Sequence, residues 1–184
     1  MPTEDKINID ILKVVTRAIA GSCNLEIMAK RLAQLLVGAL EIKGATLFAT
    51  NIVSKELEVL GSFGLSISYM NKGPVFLDRS ICAARKKEAV VVRDVSRSKV
   101  LQYPEDAAKE GIGAIVGVPI FFSGKVIGAL RLYHYEVWNI SEQDLDSLYV
   151  LTDIIGLAMM YARMYNAVSD VKAIVGDIHE AWMG

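Results

Sequence analysis

The chain has 184 residues, 53% hydrophobic and 22% charged, too apolar for a disordered polypeptide and enough to fill the core of one domain. Lys plus Arg number 20 against 21 Asp plus Glu, a net charge of −1, so no global cationic field recruits nucleic acid or an anionic membrane. Two cysteines, Cys23 and Cys82, make no disulfide framework; with no signal-peptide pattern and apolar runs well short of ~18 residues, the expectation is a cytoplasmic protein that is not exported and spans no membrane.

From Lys6 to Ala20, apolar residues at Ile7, Ile11, Val14, Val15, Ala18 and Ile19 fall on one helical stripe that Gly21 ends. Asn24 or Ser22 can cap a second helix to about Leu40, with Leu25, Met28, Leu32, Leu35, Leu36 and Ala39 on its inner side. After Gly44 the period becomes extended. ATLFATNI and ELEVLGSFG flank the turn Val53–Glu56 and predict an antiparallel hairpin. Ser66 to Gly73 is small, polar and irregular, and Asp78 can cap a short helix that carries Ile81, Cys82, Ala83 and Ala84 inward and ends at Arg85, Lys86 and Lys87.

AVVVRDV predicts a short strand running into a loop at Asp94, and YPEDAAKEG a small helix with Pro104 in its first turn and Gly111 at its exit. AIVGVPIFF and KVIGALRLYHY surround Ser123-Gly124 as a second hairpin, apolar enough to be covered on both faces, with Pro119 marking a strand end, a bulge or an edge. Ser141-Glu142-Gln143-Asp144 reads as a capping box that opens a long helix, its apolar side running from Leu145 to Tyr165. Val168, Val171, Val175 and Ile178 continue the spacing as a helical arm, which Gly176 weakens.

The order helix, helix, hairpin, short helices, hairpin, long helix resembles the GAF domain family. The resemblance covers nearly the whole chain and is most specific from Gly111 to Tyr165, where GIGAIVGVPIFFSGKVIGALRLYHY and the capped final helix match the family pattern. ATLFATNIVSKELEVLGSFGLS and AVVVRDVSRSKVLQY match its first hairpin and its strand-Asp-Val segment. It implies an α+β fold with an antiparallel sheet of about six strands, N- and C-terminal helices on one face, and short helices and loops over a small-ligand pocket on the other. The implied organisation is an N-terminal helix over residues 1–22, a GAF-like domain over 23–165 and a helical extension over 166–184.

Matching the chain to the family's pocket segments gives Phe48, Leu65, Ser80, Ile81, Asp94, Val95, Tyr103, Ala107 and Ile112 as candidate ligand-binding residues. Helix amides near Ser80 suit a phosphate or carboxylate, Asp94 can accept from a base or hydroxyl, and Tyr103 can stack on a ring; the alternative is that Asp94 closes a turn and the apolar members are core. Phe76 to Lys109 holds eight basic and five acidic residues, but the run Arg85-Lys86-Lys87 reads as a solvated helix end. Cyclic-nucleotide-binding members are matched only at Asp144. The chain has no Cys-His pair for a bilin, and His134 and His179 stand too far apart to suggest haem or a metal centre, which leaves the cofactor unknown.

No Ser-His-Asp set, phosphate-binding loop or HExxH occurs, so the expectation is a non-enzyme. Within the family, free methionine sulfoxide reductases use a nucleophilic cysteine that Cys82 resembles in position, but no partner cysteine occurs between Tyr103 and Gly113. The resemblance implies a sensory domain that binds a small molecule and signals through a helical homodimer to a separate histidine kinase or transcriptional regulator. The alternatives are a ligand-free dimerisation module and, less favoured, a thiol-based enzyme or redox sensor.

Overall fold

A computed structural model describes residues 5–21, 24–51, 53–76 and 88–183, with side chains described as far as residue 172. The first two helices follow their apolar spacing. In α1 (Ile9–Ala20) the Asn8 side chain accepts from the amides of Asp10 and Ile11, and in α2 (Leu25–Leu40) Asn24 accepts from the amide of Ile27. Helix α1 starts three residues later than its apolar period suggests. The Asp144 carboxylate accepts the Lys6 and Ile7 amides at 3.1 and 2.7 Å, holding them outside the helix and burying Ile7 against the core.

Strands β1 (Gly44–Thr50) and β2 (Leu57–Phe63) form the first hairpin, its turn closed by the Asn51 side chain accepting from Val53 and Ser54. The segment expected to be irregular contains one helical turn, α3 (Ile67–Met70), because the Ser66 hydroxyl caps it by accepting from the Tyr69 amide. The short helix expected after Asp78 lies outside the described residues. Strand β3 (Val90–Val92), a 3-10 turn (Val95–Arg97) and α4 (Pro104–Lys109) follow. Then β4 (Ala114–Phe122) and β5 (Lys125–His134) turn at Ser123-Gly124, both at positive φ. Helix α5 (Glu142–Met183) ends the chain's regular structure.

The architecture is α+β, as expected. Among the described residues the sheet has five strands in the order β2-β1-β5-β4-β3, all antiparallel, and an isolated bridge between Glu56 and Phe76 adds pairing beside β2 in place of a sixth. Of the three settings expected for Pro119, it takes the edge and the bulge but not the strand end, since β4 continues to Phe122. It lies beyond the three residues of β4 that β3 pairs, and a bulge follows at Ile120/Phe121. The capping box of α5 is only half made: the Ser141 hydroxyl accepts from the Asp144 amide, but the Asp144 carboxylate is taken by Lys6 and Ile7.

Period-two alternation sorts the strands into two layers. Ala45, Leu47, Ala49, Val116, Val118, Leu130 and Leu132 join Leu32, Leu36, Leu148, Leu151, Ile155 and Met159 in the main core beneath α1, α2 and α5. Phe48, Ile115, Ala129, Arg131 and Tyr133, the alternate residues, therefore point to the opposite face, where α3 and α4 lie. Helix α5 is long and apolar enough to cross a membrane, but its Leu148–Ala162 side is buried on the sheet, with Gly156 against the Phe121 carbonyl.

Candidate functional site

The face of the sheet opposite α5 carries a buried charge. Arg131 stands on β5 between two cross-strand neighbours, Thr46 of β1 and Gly117 of β4, and is only 5% exposed. Its guanidinium lies 5.1 Å from the centroid of the Phe48 ring, a cation–π placement on the sheet floor. Above this floor, Tyr69, Lys72, Val75, Leu101, Gln102, Tyr103 and Ile115 complete the wall of a cavity of about 20 Å³, the space of roughly one water.

The roof is tied down by polar contacts. Glu110, just past α4, accepts from the Ser66 amide at 2.9 Å and the Ser66 hydroxyl at 2.5 Å, and pairs with Lys43 at 3.7 Å. This joins α3 to α4. Burial works against the Glu110 carboxylate, but the Ser66 bonds and Lys43 outweigh it and hold its pKa below the ordinary range. Tyr103 Oη donates to the Pro74 carbonyl at 2.8 Å, while Gln102 Nε2 donates to the same carbonyl and to Tyr103 Oη. Gly73, at φ +132°, makes this possible, since a Cβ there would stand 2.7 Å from the Tyr103 oxygen.

Lys72 reaches the cavity from the segment after α3. Its ammonium donates to the Tyr69 carbonyl at 3.0 Å and lies 3.8 Å from the Tyr69 ring centroid and 5.9 Å from that of Tyr103. Burial, and then the charge of Arg131, lower its pKa to about 8. Tyr69 packs edge-on against Tyr133 at 5.9 Å, and burial pushes its phenol far above the ordinary range, so it stays protonated. The arrangement brings two cations, the Tyr69 phenol and aromatic faces into one small volume, while the donors of Gln102 and Tyr103 are taken by the Pro74 carbonyl and the Tyr103 oxygen.

Of the residues expected from sequence, Leu65, Val95, Ala107 and Ile112 gather in the apolar cluster around Tyr69, Ile115 and Tyr133 that roofs this face. Tyr103 lines the cavity itself, and Phe48 lies beside it under Arg131. Asp94 takes the turn-closing alternative. Its Oδ1 accepts from the Ser96 amide and hydroxyl at 3.0 and 2.6 Å, and its other oxygen lies 3.3 Å from Arg97 Nε. The Ser96 hydroxyl bond, more than Arg97, holds its pKa below the usual value. Ser80, Ile81 and Cys82 lie outside the described residues. Sequence reasoning missed Tyr69, Lys72, Gln102 and Arg131. For Arg131 a signal existed, a single charge inside the otherwise apolar GALRLYHY.

The sequence pattern described as GAF domain matches residues 32–160, more than half of the chain. No curated protein matches the chain by sequence. Among solved structures, the GAF domain of a phosphoenolpyruvate-protein phosphotransferase from Coxiella burnetii superposes with a TM-score of 0.77 at 20% identity, over 86% of this chain and 96% of that one. The free methionine-R-sulfoxide reductase from Neisseria meningitidis, in complex with its substrate, gives 0.72 at 18% identity over 88% and 97%. The A. aeolicus nlh2 GAF domain in an inactive state gives 0.66 at 15% identity over 83% and 94%. At such identities these likenesses establish the fold. They also correct the expectation of a non-enzyme. The Neisseria reductase is an enzyme on this same architecture, so the missing motifs do not exclude catalysis; no activity of this chain is shown.

Proposed function

The chain belongs to the GAF domain family, and from that premise we propose that it is a cytoplasmic regulatory module that binds a small molecule beneath α3 and α4 and signals as a homodimer through α1 and α5. The observation that carries this reading is the outer side of α5. Val150, Leu157, Met164 and Val171 recur every seven residues and Tyr161 and Val168 fill the offset positions, all of them more than half exposed. Such a repeat makes the seam of a parallel coiled coil. Leu157 and Tyr161 of this seam also line a groove of about 470 Å³ between α1 and α5, and a second groove, of about 840 Å³, lies between α1 and α2.

Strand β5 lies between the cavity and the buried side of α5. Arg131 and Tyr133 face the cavity side while Leu130 and Leu132 join the core under α5. A ligand that bound two arrangements of the helices with different affinity would shift their balance, and a separate histidine kinase or transcriptional regulator would read the result. Native mass spectrometry of freshly purified protein, set against the denatured mass, tests both halves. A dimer with added noncovalent mass is expected. A bare dimer overturns ligand binding as purified, and a monomer at micromolar protein overturns the dimer.

A further inference from the structure

We infer that residues 5–8 are a two-position clasp that sets the length of α1. In the position seen, Asp144 holds the Lys6 and Ile7 amides; in the other, Asp5 caps an α1 one turn longer and Asp144 turns to its own helix. The strap joins the start of α1 to the start of α5. The Asp144 carboxylate, 1% exposed, accepts the Lys6 amide through Oδ2 and the Ile7 amide through Oδ1, and the Ser141 hydroxyl donates to Asp5 Oδ1 at 2.7 Å. Ile7 is buried, and the Lys6 ammonium lies 6.0 Å from the ring centroid of Trp138.

The sequence carries two starts for one helix. Asn8, extended at φ −107° and ψ 175°, caps the helix seen by accepting from the amides of Asp10 and Ile11. Asp5, three residues earlier, is a cap residue of equal rank, and the apolar period of α1 already includes Ile7, four residues before Ile11. Asp144 likewise has two sets of donors. It stands three residues after Ser141, the place from which a capping box reaches back to the amide of the cap, and the strap takes it instead. A buried carboxylate without donors is costly; each position supplies them, so the exchange never strands the charge.

Two terms favour the position seen: Ile7 lies in the core, and Asp144 takes two amides rather than one. Against them, the longer α1 gains a helical turn and sets Ile7 on the side of Ile11, Val14 and Ala18, which line the groove between α1 and α2. The exchange therefore moves one apolar side chain from the core to that groove and ties the length of α1 to the hold on α5. It needs no ligand and stands apart from the binding reading above.

The test uses the full chain, labelled with ¹³C and ¹⁵N and followed by NMR. Amide exchange at Lys6 and Ile7 should be slowed in the wild type. Asp144→Ala should speed it at least about tenfold, the loss of a hydrogen bond to a charged acceptor, and move the Cα shifts of Lys6, Ile7 and Asn8 to helical values. Saturation transfer at the same carbons should reveal in the wild type a minor state with helical shifts. Asn8→Ala, which removes the cap of the shorter helix and leaves Asp144 in place, should raise its population about fivefold. Exchange at Lys6 and Ile7 as fast as in a free peptide, or unchanged in Asp144→Ala, overturns the clasp. Random-coil Cα shifts in Asp144→Ala, or no helical minor state in either the wild type or Asn8→Ala, overturn the second position. Saturation transfer does not use the Asp144 variant, so it decides even where Asp144→Ala fails to fold.

Discussion

Lys72 is held against its own preference for charge, and stability should report it. Burial beside Arg131 lowers its pKa from 10.5 to about 8, so between those values the unfolded chain holds a proton that the folded chain has released. Unfolding takes up a proton in that window, and stability therefore rises with pH from about 8. Tyr69 has the opposite sign. Its buried phenol resists ionisation in the fold, whereas the unfolded phenol ionises near 10.0, so stability falls above pH 10. Guanidinium midpoints measured at pH 7, 8, 9 and 10 should climb to about 10 in the wild type, while Lys72→Met should start higher at pH 7 and lose the slope. Parallel profiles for the two proteins would show that the ammonium is not desolvated. Such a residue is hard to read from sequence: in SYMNKGP, Lys72 resembles any surface lysine, and its burial depends on α3, a single turn with no period to detect. Arg131 differs, since a lone charge within an apolar strand already requires a buried partner or a polar site.

At the scale of elements, periodicity made the long helices and both hairpins legible, because each repeats its apolar spacing over several turns or pleats. Where one side chain decided the structure, the pattern failed. Asp144 takes the amides of Lys6 and Ile7 and so delays α1, and Ser66 alone starts α3. The glycines of the two packed helices show how closely the layers fit. In α2, a Cβ on Gly38 meets nothing within 4 Å, so Gly38→Ala should gain the helix preference of alanine, up to about 1 kcal/mol and a few degrees in Tm. In α5, a Cβ on Gly156 would overlap the Phe121 carbonyl oxygen and press the Ile120 side chain at 3.3 Å. The same helix preference is then outweighed by overpacking, at about 1–3 kcal/mol, and Gly156→Ala should lower Tm. Thermal unfolding of the two variants beside the wild type decides it, and a rise in both would mean that α5 stands off β4 farther than the geometry gives.

For the molecule as a whole, α5 has two apolar sides with different fates. Leu148, Leu151, Ile155, Met159 and Ala162 are buried on the sheet, while Leu157, Tyr161, Met164 and Val168 face outward. The inner stripe explains itself through burial, at about 25 cal/mol per Å² of apolar surface, but the outer stripe has no such return within one chain. Apolar residues at seven-residue spacing gain that return against a second helix of the same kind. Replacing Leu157 and Met164 together by Glu would place like charges face to face in the seam while touching nothing in the domain core. Light scattering should then give a dimer for the wild type and a monomer for the double variant, with the thermal transition of the domain kept close to its original midpoint when both are measured dilute. Loss of the transition would mean that the outer stripe belongs to the core after all. A double variant that still dimerises would move the interface to the groove between α1 and α2, where Ile11, Val14 and Leu35 offer the next apolar surface.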